Sequence, residues 1–527
     1  MRQLPNLPAS QIMRFHLASL SLFVATISAP AQSHFEFFEP VQPPRAVQVM
    51  AHRGLQMRAP ENSLVAVLAC AADYIEWAEV DVRLSKDGQH VIIHDDRLDR
   101  CSDGHGPVAG LTLDELKKLD AGSWFAPRFK GTRFVSLAEL LAACKGKVNL
   151  YLDCKRIDPE SLVKEIRAAE MEKQVIVYDR PEMLAKIRSF AGKTIATMTK
   201  FRPKNMAFDE FVNKVDPAAV EIDSEDVTAD LCKRFHDKGI RVQAKVLGEQ
   251  SDKPTIWNRM IEAGVDWLQT DRPAALRFAE VRRRISKFPV QISCHRGANR
   301  YAPENTVASI RGAAELGADY IEIDIRTTKD GRFVLLHDSK LDRTTNGRGP
   351  VNAKTCDEVT SLAAGAWFGK PFAGVKAPTF DDGLSALGEK SHVYLDAKEI
   401  SPENLLAAIR RHRLMARHVV YQSPDYCRKL KALEPNVRLL PPLKSLAAFD
   451  GVAALKPYGV DANWSILSKE MIARCHAAGI RVFSDALAWH ETIADYRQAI
   501  GWGIDVIQTD HPLRVLRAIE LEAAARH

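Results

Sequence analysis

The chain has 527 residues, 46% of them hydrophobic and 27% charged, which is too long for one ordinary domain and suits two or three globular ones. That composition excludes a fibrous or disordered polymer. A formal charge of +6 is small for this length, and apart from Arg282, Arg283 and Arg284 no basic run points to nucleic acid. The triplet is expected on the exposed face of a helix.

Residues 1–31 read as an export signal. Arg2 and Arg14 precede the apolar run from Leu17 to Ile27, and Ala29-Pro30-Ala31 has the small-x-small form of a cleavage site. The setting predicted is secreted or periplasmic. The run is too short to span a bilayer, and no other segment approaches the roughly 20 apolar residues that a spanning helix needs, so no transmembrane span is expected. Cleavage after Ala31 would leave a charge of +4.

From Val47 the chain repeats itself. VQVMAHRG at Val47 returns as VQISCHRG at Val290, and the register stays at 243 positions for His52/His295, Glu61/Glu304, Glu79/Glu322, Asp81/Asp324, His94/His337, Trp124/Trp367, Asp153/Asp396 and Lys155/Lys398. Later, KGIRV at Lys238 aligns with AGIRV at Ala478, and WLQTDRP at Trp267 with VIQTDHP at Val506. Two copies at this period are duplicated domains, since solenoid repeats run to roughly 20–50 residues. The expected units are 40–283 and 286–520, joined by an arginine-rich helix over 274–287. The nine cysteines do not recur at matching positions. They predict buried thiols, with at most an incidental bridge, instead of a disulfide framework.

Each copy is about the length of a (β/α)8 barrel. Apolar segments at 148–153, 174–179, 194–199 and 240–246 alternate with helical spacing at 159–171 and 228–239. Alternation of this kind implies a mostly parallel sheet, hence a barrel or a doubly wound fold. More than eight strand-like segments occur per copy, so one or two are not barrel staves.

The chemistry gathers in four short strings. In EVDV (79–82) and EIDI (322–325), residues two apart on a strand face one side, so Glu79 converges with Asp81 and Glu322 with Asp324. Adjacent carboxylates in an apolar strand call for a cation, and oxygen-only ligands favour Mg²⁺ or Ca²⁺ over zinc. Next, Asp87-Gly88 and Asp330-Gly331 are hairpin turns that return His94 beside Asp81 and His337 beside Asp324. The HRG strings put His52, Arg53 and Gly54, and His295, Arg296 and Gly297, at the C-terminal end of each first strand, where barrel active sites gather. Arg53 and Arg296 offer forked donors for phosphate, and Gly54 permits close backbone approach. Finally, Asp153-x-Lys155 and Asp396-x-Lys398 add a third carboxylate and a second phosphate contact to each copy. A cation, cationic side chains and paired histidines are the parts of a phosphodiester-cleaving site. No nucleophile elbow, P-loop or dinucleotide fingerprint is present.

HRGANRYAPENT (295–306) with ADYIEIDIRTTKDGRFVLLHDSKLDRTTNGRGPV (318–351) resembles the glycerophosphodiester phosphodiesterase family, as do HRGLQMRAPENS (52–63) and AEVDVRLSKDGQHVIIHDDRLDRCSDGHGPV (78–108). The resemblance covers nearly all of both copies. It implies two tandem TIM-type barrels and hydrolysis of a small-molecule glycerophosphodiester to sn-glycerol 3-phosphate and an alcohol. It further implies His52, His94, His295 and His337 as acid and base, with one cation per barrel held by Glu79, Asp81 and Asp153 and by Glu322, Asp324 and Asp396. Attack by the glycerol 2-hydroxyl, through a cyclic phosphate, is the implied route.

Two departures stand out. The family's third carboxylate is usually glutamate, and its late strand often carries tryptophan where this chain reads VQAKV (242–246) and VFSDA (482–486). The alcohol is therefore open, with a lysophospholipid or a teichoic-type polymer among the alternatives. A non-catalytic or half-active binding protein derived from the enzyme, and a barrel isomerase of sugar phosphates, are the rival classes.

Overall fold

A computed structural model describes residues 35–525. The export signal read at 1–31 lies outside the described residues.

The first copy contains β1 (Gln48–Ala51), β2 (Trp77–Leu84), β3 (His90–Ile92), β4 (Asn149–Cys154), β5 (Val175–Tyr178), β6 (Ala196–Lys200), β7 (Ala219–Asp223), β8 (Arg241–Lys245) and β9 (Trp267–Thr270). Eight of these run parallel in the order β1-β2-β4-β5-β6-β7-β8-β9, and β9 returns to β1, so the barrel closes. The ninth, β3, is the surplus segment: it folds back antiparallel onto β2 through the Asp87-Gly88 turn, where Gly88 takes a φ of 75°. Val80, Val82, Leu150 and Leu152 turn outward under the helices and are fully buried, because a parallel sheet covered by helices has no wet face.

The second copy repeats this with β10 (Gln291–Cys294), β11 (Tyr320–Thr327), β12 (Phe333–Leu335), β13 (His392–Asp396), β14 (His418–Tyr421), β15 (Leu439–Leu440), β16 (Pro442–Leu443), β17 (Gly459–Ala462), β18 (Arg481–Asp485) and β19 (Val506–Thr509). Here the fifth stave is broken at Pro441-Pro442. Its first half pairs with β14 and its second half with β17. Proline has no N–H to donate to a ladder, so two successive prolines split one strand into two short ones. Both copies are therefore (β/α)8 barrels, one closed and one interrupted at a single stave.

At the N-terminal end of the first barrel, Phe37 lies 5.4 Å from Trp77 and 5.2 Å from Trp267, both edge-on, plugging the base with aromatics. The helix Pro273–Arg284 packs beside its counterpart Pro512–Ala524. Between the barrels runs a buried charge network. Arg45 reaches Glu76 of the first barrel and Glu520 of the second, each at 2.5 Å, while Arg277 holds Glu76 at 2.7 Å. Two of the triplet belong to this junction: Arg284 bonds Glu520, and Arg282 bonds the Gly317 carbonyl and Asp319, while Arg283 lies on the exposed face as expected and pairs with Glu262. All nine cysteines are buried and free, so no incidental bridge forms. Among the described residues no helix is long and apolar enough to cross a membrane.

Candidate active site

The predicted site residues lie at the C-terminal end of each barrel, on the staves or the loops just after them, with His94 and His337 carried there by the β3 and β12 hairpins. On β2, Glu79 and Asp81 face the barrel interior, and Asp81 is paired directly with Asp153 on β4. On β11 and β13 the same register pairs Asp324 with Asp396. In each barrel three carboxylates therefore converge, with ligand oxygens within 4.8 Å of one another: Glu79, Asp81 and Asp153, and Glu322, Asp324 and Asp396. Direct cross-strand pairing brings the shorter aspartate into the cluster, since neighbouring strands lie only about 5 Å apart.

The cluster lacks sufficient positive charge of its own. Lys155 Nζ sits 2.6 Å from Asp153 and 3.2 Å from Asp81, and Lys398 repeats this at 2.6 and 3.1 Å. Glu79 is left with the Arg53 backbone N–H at 2.8 Å, and Glu322 with that of Arg296 at 2.7 Å. Burial, then the charges of Asp81 and Asp153, push Glu79 well above the usual carboxylate range; Glu322 is raised in the same way by burial, Asp324 and Asp396. Burial also raises Asp153 and Asp396. A divalent cation fits both clusters: three hard oxygen donors converge, and the ion would supply the charge that the protein does not.

The HRG strings turn sharply. Arg53 and Arg296 adopt left-handed φ values of 55° and 53°. At Gly54 a Cβ would meet the Ala66 carbonyl carbon at 2.7 Å, so glycine is required by the helix Leu64–Ala72. The close approach read from the sequence is thus to a helix. The Arg53 guanidinium donates to Glu61 at 2.9 Å, while its Nε is buried without a hydrogen-bond acceptor and lies 3.7 Å from Asp81. An orphaned guanidinium nitrogen beside the cluster fits an anionic oxygen. In the second barrel Arg296 Nε donates instead to His295 Nε2 at 3.1 Å.

Each histidine is held from behind by a carboxylate. His52 Nδ1 lies 2.8 Å from Asp271, and His295 Nδ1 lies 2.7 Å from Asp510. His52 Nε2 is 4.0 Å from Glu79. His94 Nδ1 lies 2.7 Å from Asp95, and His337 Nδ1 2.8 Å from Asp338. The hairpin register differs slightly from expectation: Ile93 is the residue bonded to Asp81, through a 2.9 Å N–H to carbonyl contact, and His94 follows it at the rim.

Sequence reasoning missed the residues that hold these groups. Asn62 and Asn305 each donate to a cluster aspartate, Asp81 at 2.8 Å and Asp324 at 2.7 Å. Arg100 ties Asp95 to Glu61, and Arg343 ties Asp338 to Glu304. Asp271 and Asp510 orient the first histidines. The repeated PEN and QTD strings were the available signal, since both recur in a register that packing alone does not demand.

The family model described as "Glycerophosphoryl diester phosphodiesterase family" matches residues 52–275 and again 295–514. The chain belongs to that family, twice over. Membership makes it a glycerophosphodiester phosphodiesterase built on two tandem barrels. It is 32% identical over 244 residues to a glycerophosphodiester phosphodiesterase of Bacillus subtilis, covering 41% of this chain and 82% of that one. It is 31% identical over 238 residues to one from Caldanaerobacter subterraneus subsp. tengcongensis, covering 43% and 97%. Among solved structures, one from Agrobacterium tumefaciens gives 26% identity and a TM-score of 0.40 over 43% of this chain and 97% of that one. A phosphodiesterase of Oleispira antarctica in complex with the product sn-glycerol-3-phosphate gives 27% and 0.38 over 44% and 96%.

Proposed function

We propose that each unit, 40–283 and 286–520, cleaves glycerophosphodiesters by acid–base catalysis between two histidines at a Mg²⁺ or Ca²⁺ site. The carboxylates Glu79, Asp81 and Asp153, and Glu322, Asp324 and Asp396, would hold the ion. When bound, the ion polarises the phosphoryl oxygens and neutralises their developing charge.

Around it the chain's own groups act on the substrate. Arg53 and Lys155, and Arg296 and Lys398, bind phosphate oxygens. One histidine takes the proton of the glycerol 2-hydroxyl as its oxygen forms the bond to phosphorus. The other gives a proton to the departing alcohol as its P–O bond breaks. Water then opens the cyclic phosphate with the two roles reversed, releasing sn-glycerol 3-phosphate. The carboxylates on each Nδ1 fix the tautomer, so that Nε2 is the working nitrogen.

The observation that carries this reading is the convergence, in both barrels, of three carboxylates with a histidine whose far nitrogen is pinned by an aspartate. A scaffold with a dead site has no need of the complete set in either copy. The leader-like N-terminus supports an exported setting.

The test is incubation with glycerophosphocholine and Mg²⁺ or Ca²⁺, with coupled detection of sn-glycerol 3-phosphate. Turnover is expected from wild type and from each of His52→Ala and His295→Ala, but not from the double variant. Full activity in the double variant would remove the assigned roles, because proton transfer contributes about 10² to 10⁴ in rate.

A further inference from the structure

The groups around the carboxylate clusters match between the barrels almost contact for contact, so any difference in substrate lies across the mouth. There, opposite β2 and β4, stand the ends of β6, β7 and β8, and in the second barrel β16, β17 and β18. This is the stretch where VQAKV and VFSDA depart from the family pattern. Strand register aligns four positions. In the first barrel Lys200 pairs with Glu221 across β6 and β7, and Asp223 with Lys245 across β7 and β8. In the second, Pro442 pairs with Asp461, Asn463 follows β17, and Asp485 ends β18.

The charges at these four places differ by two units. In the first barrel they cancel: Lys200 bonds Asp223 and lies 3.5 Å from Glu221, and Lys245 is the register partner of Asp223. In the second barrel both lysines are gone. Asp461 accepts the Tyr394 hydroxyl, and Asp485, exposed at the end of β18, stands where the first barrel has Lys245.

A separate feature points the same way. Trp464 follows β17 and stacks on His490 at 5.5 Å, and Trp489, in the loop after β18, is 89% exposed. The corresponding stretches of the first barrel, 224–228 and 246–253, hold no aromatic residue. Aromatic faces beside carboxylates are the usual recognition surface for an organic cation.

We propose that the two barrels divide substrates by the charge of the alcohol: the second takes phosphodiesters of cationic alcohols through Asp461, Asp485 and its tryptophan rim, and the first, with Lys200 and Lys245, has no such preference. This rests on the phosphodiesterase reading above and names the substrate class of each site.

The experiment uses the full-length protein with Mg²⁺ and compares glycerophosphocholine with its uncharged isostere, the 3,3-dimethylbutanol ester. His52→Ala isolates the second site and His295→Ala the first. The ratio of kcat/KM, choline ester over isostere, is expected to be at least about tenfold higher at the second site, and to shrink with added salt. In the His52→Ala background, Asp485→Asn should lower that ratio and Asp485→Lys, which installs the first barrel's residue, should abolish it. Equal ratios at the two sites, or a ratio that neither Asp485 variant changes, would overturn the division. No turnover of either ester by wild type would instead overturn the phosphodiesterase reading itself.

Discussion

His52 and Asp271 stand 219 residues apart and meet at 2.8 Å, Nδ1 to Oδ1. His52 follows the first stave and Asp271 the last, so the contact exists only because β9 closes onto β1. His295 and Asp510 repeat it at 2.7 Å across β10 and β19. The geometry of each histidine–aspartate pair is thereby locked to barrel closure.

Asp271→Asn and Asp510→Asn should therefore each cost their own barrel about 10- to 100-fold in kcat, a part of the full 10² to 10⁴ that proton transfer supplies. KM should move little, because neither aspartate is placed on the phosphate. Steady-state kinetics with the opposite barrel silenced decide this. An unchanged kcat would mean that the histidine needs no orienting partner.

Chelation should remove activity, and Mg²⁺ or Ca²⁺ should restore it better than Zn²⁺, since all six proposed ligands are carboxylates. Calorimetric titration of the chelated protein should count two cations per chain. Asp153→Asn should reduce that count to one. Two cations bound by the variant would move the site elsewhere.

Glu76 offers a test of the junction between the barrels. It is 1% exposed and neutralises Arg277, itself fully buried, as well as Arg45. Glu76→Ala leaves Arg45 with Glu520 and Arg277 with Glu280 but removes the carboxylate they share, and the excess of buried guanidinium charge costs about 3–5 kcal/mol. Urea unfolding should show a loss of that size. A loss below about 1 kcal/mol would indicate that the network is wet and screened.

Acid should destabilise the chain in two stages. His418 is buried, donates from Nδ1 to the Leu414 carbonyl at 2.9 Å and accepts the Arg438 N–H at Nε2. Burial lowers its pKa from 6.5 to about 4. The folded state thus resists a proton that the unfolded chain accepts. The stability this represents is present above pH 6.5 and lost as pH falls towards 4. Glu520 acts lower: burial opposes its ionisation, but Arg45, Arg277 and Arg284 prevail and hold its pKa at about 2 against 4.5. Its contribution is present above 4.5 and lost as pH falls towards 2. Melting temperature followed from pH 8 to pH 3 should fall first in the His418 window. His418→Gln should flatten that step, and an unchanged profile would assign it to other groups.

Sequence alone determined the duplication, an alternating α/β architecture and the paired carboxylates of each copy, while the choice of a barrel and the full ligand sets came with the family resemblance. The physical reason is that the first three are local facts. Strand residues two apart share a face whatever surrounds them, Asp87-Gly88 turns the chain by its own φ preference, and alternating apolar segments at this length leave few architectures. Tertiary structure decided what depends on register and closure. Only the direct pairing of Asp81 with Asp153 brings the third carboxylate to within 4.8 Å of the other two. Only the closed sheet brings Asp271 to His52, and only strand pairing sets Pro442 where the first barrel has Lys200. The junction was illegible for the same reason. Nothing local marks Arg45, Glu76, Arg277 and Glu520, which packing takes out of water and leaves one another as partners.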